Sequence, residues 1–88
     1  MMMDYIQISN YLKAMAHPTR LKIIIRLSRG PQCVNDITGL ITGRQANVSQ
    51  HLSLLRLHGI VDCRQNGNMK CYFLKNPKLI KKILTVFQ

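Results

Sequence analysis

The sequence predicts a small, mainly α-helical domain with one β-hairpin, its elements in the order of four helices, two strands and a fifth helix. Two observations indicate this fold class. Apolar residues recur at helical spacing over most of the chain, and an Asn-Gly turn signal lies between two β-type segments near its C-terminal end. A length of 88 residues is that of a single domain, which we expect to span residues 1–88.

The first half of the chain predicts three helices. The spacing of Tyr5, Ile8, Leu12 and Met15 indicates a first helix that ends near Ala-His-Pro. Pro18 suits the first turn of a second helix, which the Arg-Gly-Pro of residues 29–31 ends. That helix should carry apolar residues toward a core: Leu21, Ile24, Ile25 and Leu27. A short third helix is expected in CVNDITGLI, before a break at residues 42–43.

The fourth helix, in RQANVSQHLSLLRLHGI, has two different sides. Val48, Leu52 and Leu55 fall within a sector of about 60°, which indicates the side that packs on the domain. The nearly opposite side carries Ala46, Ser49, Gln50 and Ser53. Short or flexible polar groups of this kind suit the base edges of a DNA major groove, although such residues also simply solvate exposed helices. Thr42 and Gln45 have capping-box spacing, so the helix could begin at the break or one or two residues later.

The segment after Gly59 predicts a β-hairpin, because IVDCRQ and KCYFL flank Asn-Gly. A short helix, a turn, a helix with a polar front and then a hairpin form the winged helix-turn-helix pattern. We expect the hairpin tip to contact DNA through Arg64, Asn66, Asn68 and Lys70. A last amphipathic helix is predicted in PKLIKKILTVF.

The charge of the chain indicates a polyanionic partner. Thirteen Lys and Arg against three Asp and Glu give a formal net charge of +10. Because the chain has so few carboxylates, it has few groups for acid–base catalysis or for binding hard metal ions. We therefore expect that it is not an enzyme. The sequence has no apolar run near the ~18–20 residues of a membrane span and no secretory signal. An odd number of cysteines without Cys-x-x-Cys spacing favours a reducing cytoplasm.

Three segments together, LKAMAHPTRLKIIIRL, NVSQHLSLLRLHGIV and GNMKCYFL, closely resemble the ArsR-type family of winged-helix repressors. The resemblance covers residues 12–74 and implies a homodimer, joined through the first and last helices, that binds a double-stranded DNA operator until an inducer releases it. The residues expected to contact DNA from the fourth helix are Gln45, Ala46, Asn47, Ser49, Gln50, His51, Ser53 and Arg56. A basic protein- or RNA-interaction module with the same fold is the alternative.

The three histidines have different expected roles. His51 lies at the edge of the apolar stripe, so a structural role and a phosphate contact stay equally open. His17 is interpreted as part of a helix start and His58 as a surface residue before Gly59.

The sensor is the least determined feature. Many family members bind thiophilic metals through a Cys-x-Cys motif, but here Cys33 is followed by Asn35 in place of the second thiolate. A second family site on the last helix lacks its ligands altogether. A three-residue Asn66-Gly67-Asn68 loop would place Cys63 opposite Cys71, whereas a two-residue Asn66-Gly67 turn would separate them. We predict no certain cofactor. Cys33, Cys63 and Cys71 form a candidate thiol sensor for a metal, a metalloid or an oxidant, and the alternative for Cys63 and Cys71 is that they only fill the thin hairpin.

Overall fold

The computed structural model describes residues 3–41 and 47–88. Within them the elements are α1 (Tyr5–Met15), α2 (Pro18–Leu27), β1 (Gln32–Cys33), α3 (Val34–Leu40), α4 (Val48–Leu57), β2 (Val61–Asn66), β3 (Met69–Leu74) and α5 (Pro77–Thr85). The mainly α-helical class with a hairpin is confirmed, and the five predicted helices occur in the predicted order. The strands differ from the prediction by one addition, β1.

Local sequence explains where the helices begin and end. The side chain of Asp4 accepts a hydrogen bond from the backbone N–H of Gln7 at 3.0 Å and caps α1. His17 Nδ1 accepts from Thr19 N at 3.1 Å, with Pro18 as the first helical residue, so the prediction of His17 as a helix start is confirmed. At the other end of the motif, α4 stops before Gly59, whose φ of +77° suits glycine.

The sheet contains a strand that the sequence analysis missed. β1, only two residues long, pairs antiparallel with β3, giving the order β1-β3-β2. A strand this short has no detectable period, which is why the pattern did not reveal it.

The turn of the hairpin also differs from both predicted forms. Its two loop residues are Gly67 and Asn68, because Asn66 pairs with Met69 and Gly67 takes a φ of +63°. In this register Cys63 pairs with Tyr72, and Arg64 pairs with Cys71. The prediction that Cys63 could lie opposite Cys71 is therefore wrong.

One core joins the helices to the base of the sheet. Val48, Leu52 and Leu55 of α4 are buried, as predicted. α2 contributes Ile23, Ile24 and Leu27, so Ile23 replaces the predicted Ile25, which is 42% exposed. The remaining buried apolar residues are Ala14, Met15, Ile37, Ile41, Ile60, Val61, Leu74 and Ile80. Burial of one side of α4 turns its other side toward solvent.

The predicted start of α4 lies partly outside the described residues. The break at Thr42-Gly43 and the capping pair of Thr42 and Gln45 fall in residues 42–46. α4 as described begins at Val48, after Asn47 with φ −107° and ψ 42°.

Candidate nucleic-acid interface

The outward face of α4, defined by Ser49, Gln50 and Ser53, is exposed along the first two turns. All three side chains can donate and accept hydrogen bonds, which is what the reading of base edges requires. They lie on the side away from Val48, Leu52 and Leu55, so the rotation predicted from sequence is confirmed. The face therefore combines a rigid backbone with adaptable polar groups.

The predicted DNA-contacting residues at the two ends of α4 differ in their surroundings. Asn47 precedes the helix, is exposed, and its side chain makes no capping hydrogen bond. Gln45 and Ala46 lie outside the described residues. Arg56 is exposed in the last turn and donates to Asp62 Oδ1 at 3.1 Å, so it joins α4 to β2. An exposed ion pair of this kind is weak and leaves the guanidinium accessible to a phosphate.

Asp62 fixes the base of the hairpin beside α4. Its Oδ1 also accepts from the backbone N–H of Cys63 at 2.8 Å. That backbone hydrogen bond, followed by the nearby Arg56 guanidinium, holds the pKa of Asp62 below its ordinary value. The carboxylate therefore stays ionised to a lower pH than an ordinary aspartate while the hairpin and α4 are in this arrangement.

His51 is half-buried and held by α2. Its ring lies 4.8 Å from the ring of His17, centroid to centroid, and its Nδ1 is 3.4 Å from Arg20 Nη1. A guanidinium only donates, so His51 Nδ1 is the acceptor in this contact. Burial, then the proximity of His17 and Arg20, lowers the pKa of His51. These contacts favour the structural role over the phosphate contact.

Arg20 extends the same cluster to α1, because its Nε donates to the carbonyl of Ala14. One side chain of α2 thus contacts the end of α1 and the second turn of α4. Sequence reasoning did not predict this cluster, since Arg20 and His51 are 31 positions apart in the sequence.

The wing, defined as the β2–β3 hairpin of residues 61–74, presents its predicted residues to solvent. Arg64, Asn66, Asn68 and Lys70 are all exposed. Alternation along the strands places Arg64 and Asn66 on one face of the hairpin and Lys70 on the other. The Arg64 guanidinium lies 4.8 Å from the centroid of the Phe73 ring. This cation–π contact orients the Arg64 side chain on the face that it shares with Asn66.

The cysteines form a pair that was not predicted. Cys33 of β1 and Cys71 of β3 are joined by a disulfide bond, and Cys63 is free and half-buried. Because register partners share a face, Cys33, Cys71 and Arg64 lie on one side of the sheet and Cys63 on the other. The separation of the pair along the chain hid it from sequence reasoning.

Two further findings apply to residues 3–41 and 47–88. No cluster of three or more His, Cys, Asp or Glu side chains is placed to hold a metal ion. No helix there is long and apolar enough to cross a membrane.

Comparison with known proteins places this geometry in a family. A family model described as "Bacterial regulatory protein, arsR family" matches residues 17–62. The cadmium resistance transcriptional regulatory protein CadC of Listeria innocua is 35% identical over 78 residues, which cover 88% of this chain and 66% of CadC. The chain thus spans just under two thirds of that relative.

Two other similar proteins bear on the site. The biofilm growth-associated repressor of Agrobacterium fabrum is 33% identical over 84 residues, covering 92% of this chain and 72% of the repressor. The solution structure of the homodimeric winged helix-turn-helix DNA-binding domain of Mb0332 from Mycobacterium bovis superposes with a TM-score of 0.82. It is 25% identical, and the match covers 91% of this chain and 77% of that one.

These relatives are regulators rather than enzymes, in agreement with the expectation from composition. The winged helix-turn-helix fold is confirmed. The chain belongs to the arsR family of bacterial regulatory proteins.

Proposed function

We propose that this chain is a transcriptional repressor that reads a double-stranded DNA operator with the outward face of α4. The observation that carries the proposal is the exposure of Ser49, Gln50 and Ser53 on the side of α4 opposite its buried leucines. Gln50 can pair bidentately with adenine, and the serines can pair with several bases. The alternative of a protein- or RNA-interaction module is not favoured, since the relatives are transcriptional regulators.

Affinity comes mainly from the positive charge. The excess of Lys and Arg neutralises phosphates and releases counterions, so binding falls steeply as salt rises. Arg64, Asn66, Asn68 and Lys70 on the wing contact the backbone or a neighbouring minor groove. Base contacts from α4 then select the sequence.

The functional unit is a homodimer joined through α1 and α5. The exposure of four large hydrophobic side chains supports this dimer: Tyr5 (80%), Leu12 (52%), Val86 (78%) and Phe87 (81%). An apolar groove of about 340 Å³ runs between α1, α2 and α5, a second of about 300 Å³ runs between α1 and α5, and Leu12 lines both. A second copy would cover this surface, and the similar Mb0332 domain is a homodimer.

Release by an inducer belongs to the same proposal, as does a cytoplasmic location, where the operator would be. The name of the Listeria relative refers to cadmium, and soft metals take thiolate ligands. The sulfurs of Cys33 and Cys71 lie together, so reduction would leave two neighbouring thiols. Adding cadmium to the reduced protein should weaken operator binding, because an ion bound between the two sulfurs holds them farther apart than a disulfide bond does and so displaces the wing. An equal response from C33S would contradict this assignment.

The operator-binding proposal is tested by selection from random duplex DNA. The 88-residue chain should enrich one inverted-repeat sequence, because two copies of α4 related by a dimer axis read two half-sites. Enrichment should fall with Q50A and persist unchanged with S28A, a control change outside α4. Uniform recovery of all sequences by the unaltered chain would contradict the proposal.

A further inference from the structure

The disulfide bond between Cys33 and Cys71 connects the two parts of the DNA-binding surface. Cys33 ends β1, directly before α3, and Cys71 lies in β3 of the wing. The two cysteines are 38 positions apart, and the loop they close contains α3, α4 and β2. The bond therefore ties the wing to the start of the helix-turn-helix.

The backbone pairing between β1 and the wing is short. β1 pairs with β3 through Gln32 with Tyr72 and through Cys33 with Cys71, whereas β2 and β3 share six residue pairs. A two-residue strand contributes few backbone hydrogen bonds, so this is the weakest junction of the sheet. Whether the sulfurs are bonded should decide how firmly the wing is held there.

The pair is open to small reagents. Cys33 and Cys71 are half-buried and line an open cavity of about 460 Å³ together with Gln32 and Arg64. Arg64 is the cross-strand partner of Cys71, and a nearby guanidinium favours the thiolate, the form of cysteine that reacts with oxidants and disulfides. Cys63 lies on the opposite face of the sheet.

We propose that Cys33 and Cys71 form a reversible thiol pair whose oxidation strengthens DNA binding. The inference rests on the operator-binding function proposed above. Disulfides inside cells are usually transient and often sense redox state. The bond holds the wing beside α4 before DNA arrives, and such preorganisation reduces the ordering cost of binding. The direction is opposite to the release by oxidation that the sequence suggested.

The chemistry needs a two-electron oxidant, for which hydrogen peroxide serves. The Cys71 thiolate attacks one peroxide oxygen, the O–O bond breaks, hydroxide leaves, and Cys71 becomes a sulfenic acid. The Cys33 thiolate then attacks that sulfur, forming the S–S bond and expelling a second hydroxide. Protonation of both hydroxides gives two waters. A small dithiol reverses the step by two thiol–disulfide exchanges, supplying two electrons and two protons.

The test compares the reduced and the peroxide-oxidised chain on the duplex selected from random DNA, by fluorescence anisotropy at constant salt. Peptide mapping of each sample identifies the bonded cysteines. The oxidised chain should contain the Cys33–Cys71 bond and bind about five-fold more tightly. C33S and C71S should keep the affinity of the reduced chain in both conditions, and C63S, the matched control, should respond like the unaltered chain.

Equal affinity of the two forms, weaker binding after oxidation, or a full response in C33S would overturn the thiol proposal. If both forms select the same sequence with equal affinity, the operator-binding function stands and only the thiol proposal fails. If neither form selects any sequence, the operator-binding function fails and the thiol proposal fails with it.

Discussion

The face formed by α1 and α5 is apolar, whereas the surface formed by α4 and the wing is polar and basic. Tyr5, Leu12 and Phe87 stand exposed on the first, and Ser49, Gln50 and Lys70 on the second. An exposed apolar face is stabilised by removing its area from water, so it suits another protein surface. A face of hydrogen-bonding and cationic groups retains its water until a polyanion replaces it. The two faces therefore differ in the class of partner they bind.

The largest expected effect comes from placing a charge on the apolar face. L12E would bury an unpaired carboxylate between two copies and weaken the dimer by about 4 kcal/mol, near a thousand-fold. Sedimentation equilibrium measures the association constant. L57E changes a leucine that is 75% exposed on α4, outside this face, and should leave the dimer intact. Equal loss in both variants would remove the distinction between the two faces.

The next effect concerns the covalent link on the polar side. Reducing the Cys33–Cys71 bond should lower the free energy of unfolding by about 3 kcal/mol, because the bond restricts the unfolded chain across a long loop. Urea denaturation at fixed protein concentration, with and without reductant, measures it. C63S should show the same difference. An unfolding midpoint that does not change on reduction would argue that the bond does not constrain the native domain.

A smaller effect separates two roles within the polar surface. Q50A should reduce discrimination between operator and random DNA by about 2 kcal/mol, because a buried base edge loses its partner. K70A should weaken binding to both DNAs similarly and reduce the salt slope by about one. Anisotropy titrations at several salt concentrations distinguish these outcomes. A loss of discrimination in K70A would move sequence reading from α4 to the wing.

The smallest effect is the pH dependence conferred by His51, through which α4 contacts His17 and Arg20. Its pKa in the folded chain lies below the ordinary value of 6.5, so the unfolded chain binds the proton first as pH falls. This contribution to stability is full above that value and is lost as pH falls through the folded pKa. Thermal unfolding of the unaltered chain and of H51Q should diverge at neutral pH and converge in acid. Parallel curves would contradict this role.

The sequence predicted the two sides of α4 well and the pairing of the cysteines poorly, for physical reasons. The buried and exposed sides of α4 follow from helical rotation alone, so Val48, Leu52 and Gln50 took their expected positions. The partner of Cys71 depends on strand register, and register depends on which two residues form the hairpin turn. With Gly67 and Asn68 in the turn, Cys71 pairs with Arg64 and not with Cys63.

The apolar stripe of α1 shows a similar limit of prediction from sequence. Periodicity placed Tyr5, Leu12 and Met15 on one side of a helix, but only Met15 is buried in the single chain. A sequence pattern reports that a surface is apolar and does not distinguish the domain core from a surface left for a second copy.

The sequence by itself determined the mainly helical class, the order of the helices, the outward face of α4 and the charge that suits DNA. These features depend on local rotation, capping and composition, each of which is encoded within a few neighbouring residues or in a sum over the chain. Tertiary structure alone decided the added strand β1, the joining of Cys33 to Cys71, and the support of His51 by His17 and Arg20. Each of these contacts joins residues about 30 or more positions apart, and only packing of the whole chain brings them together.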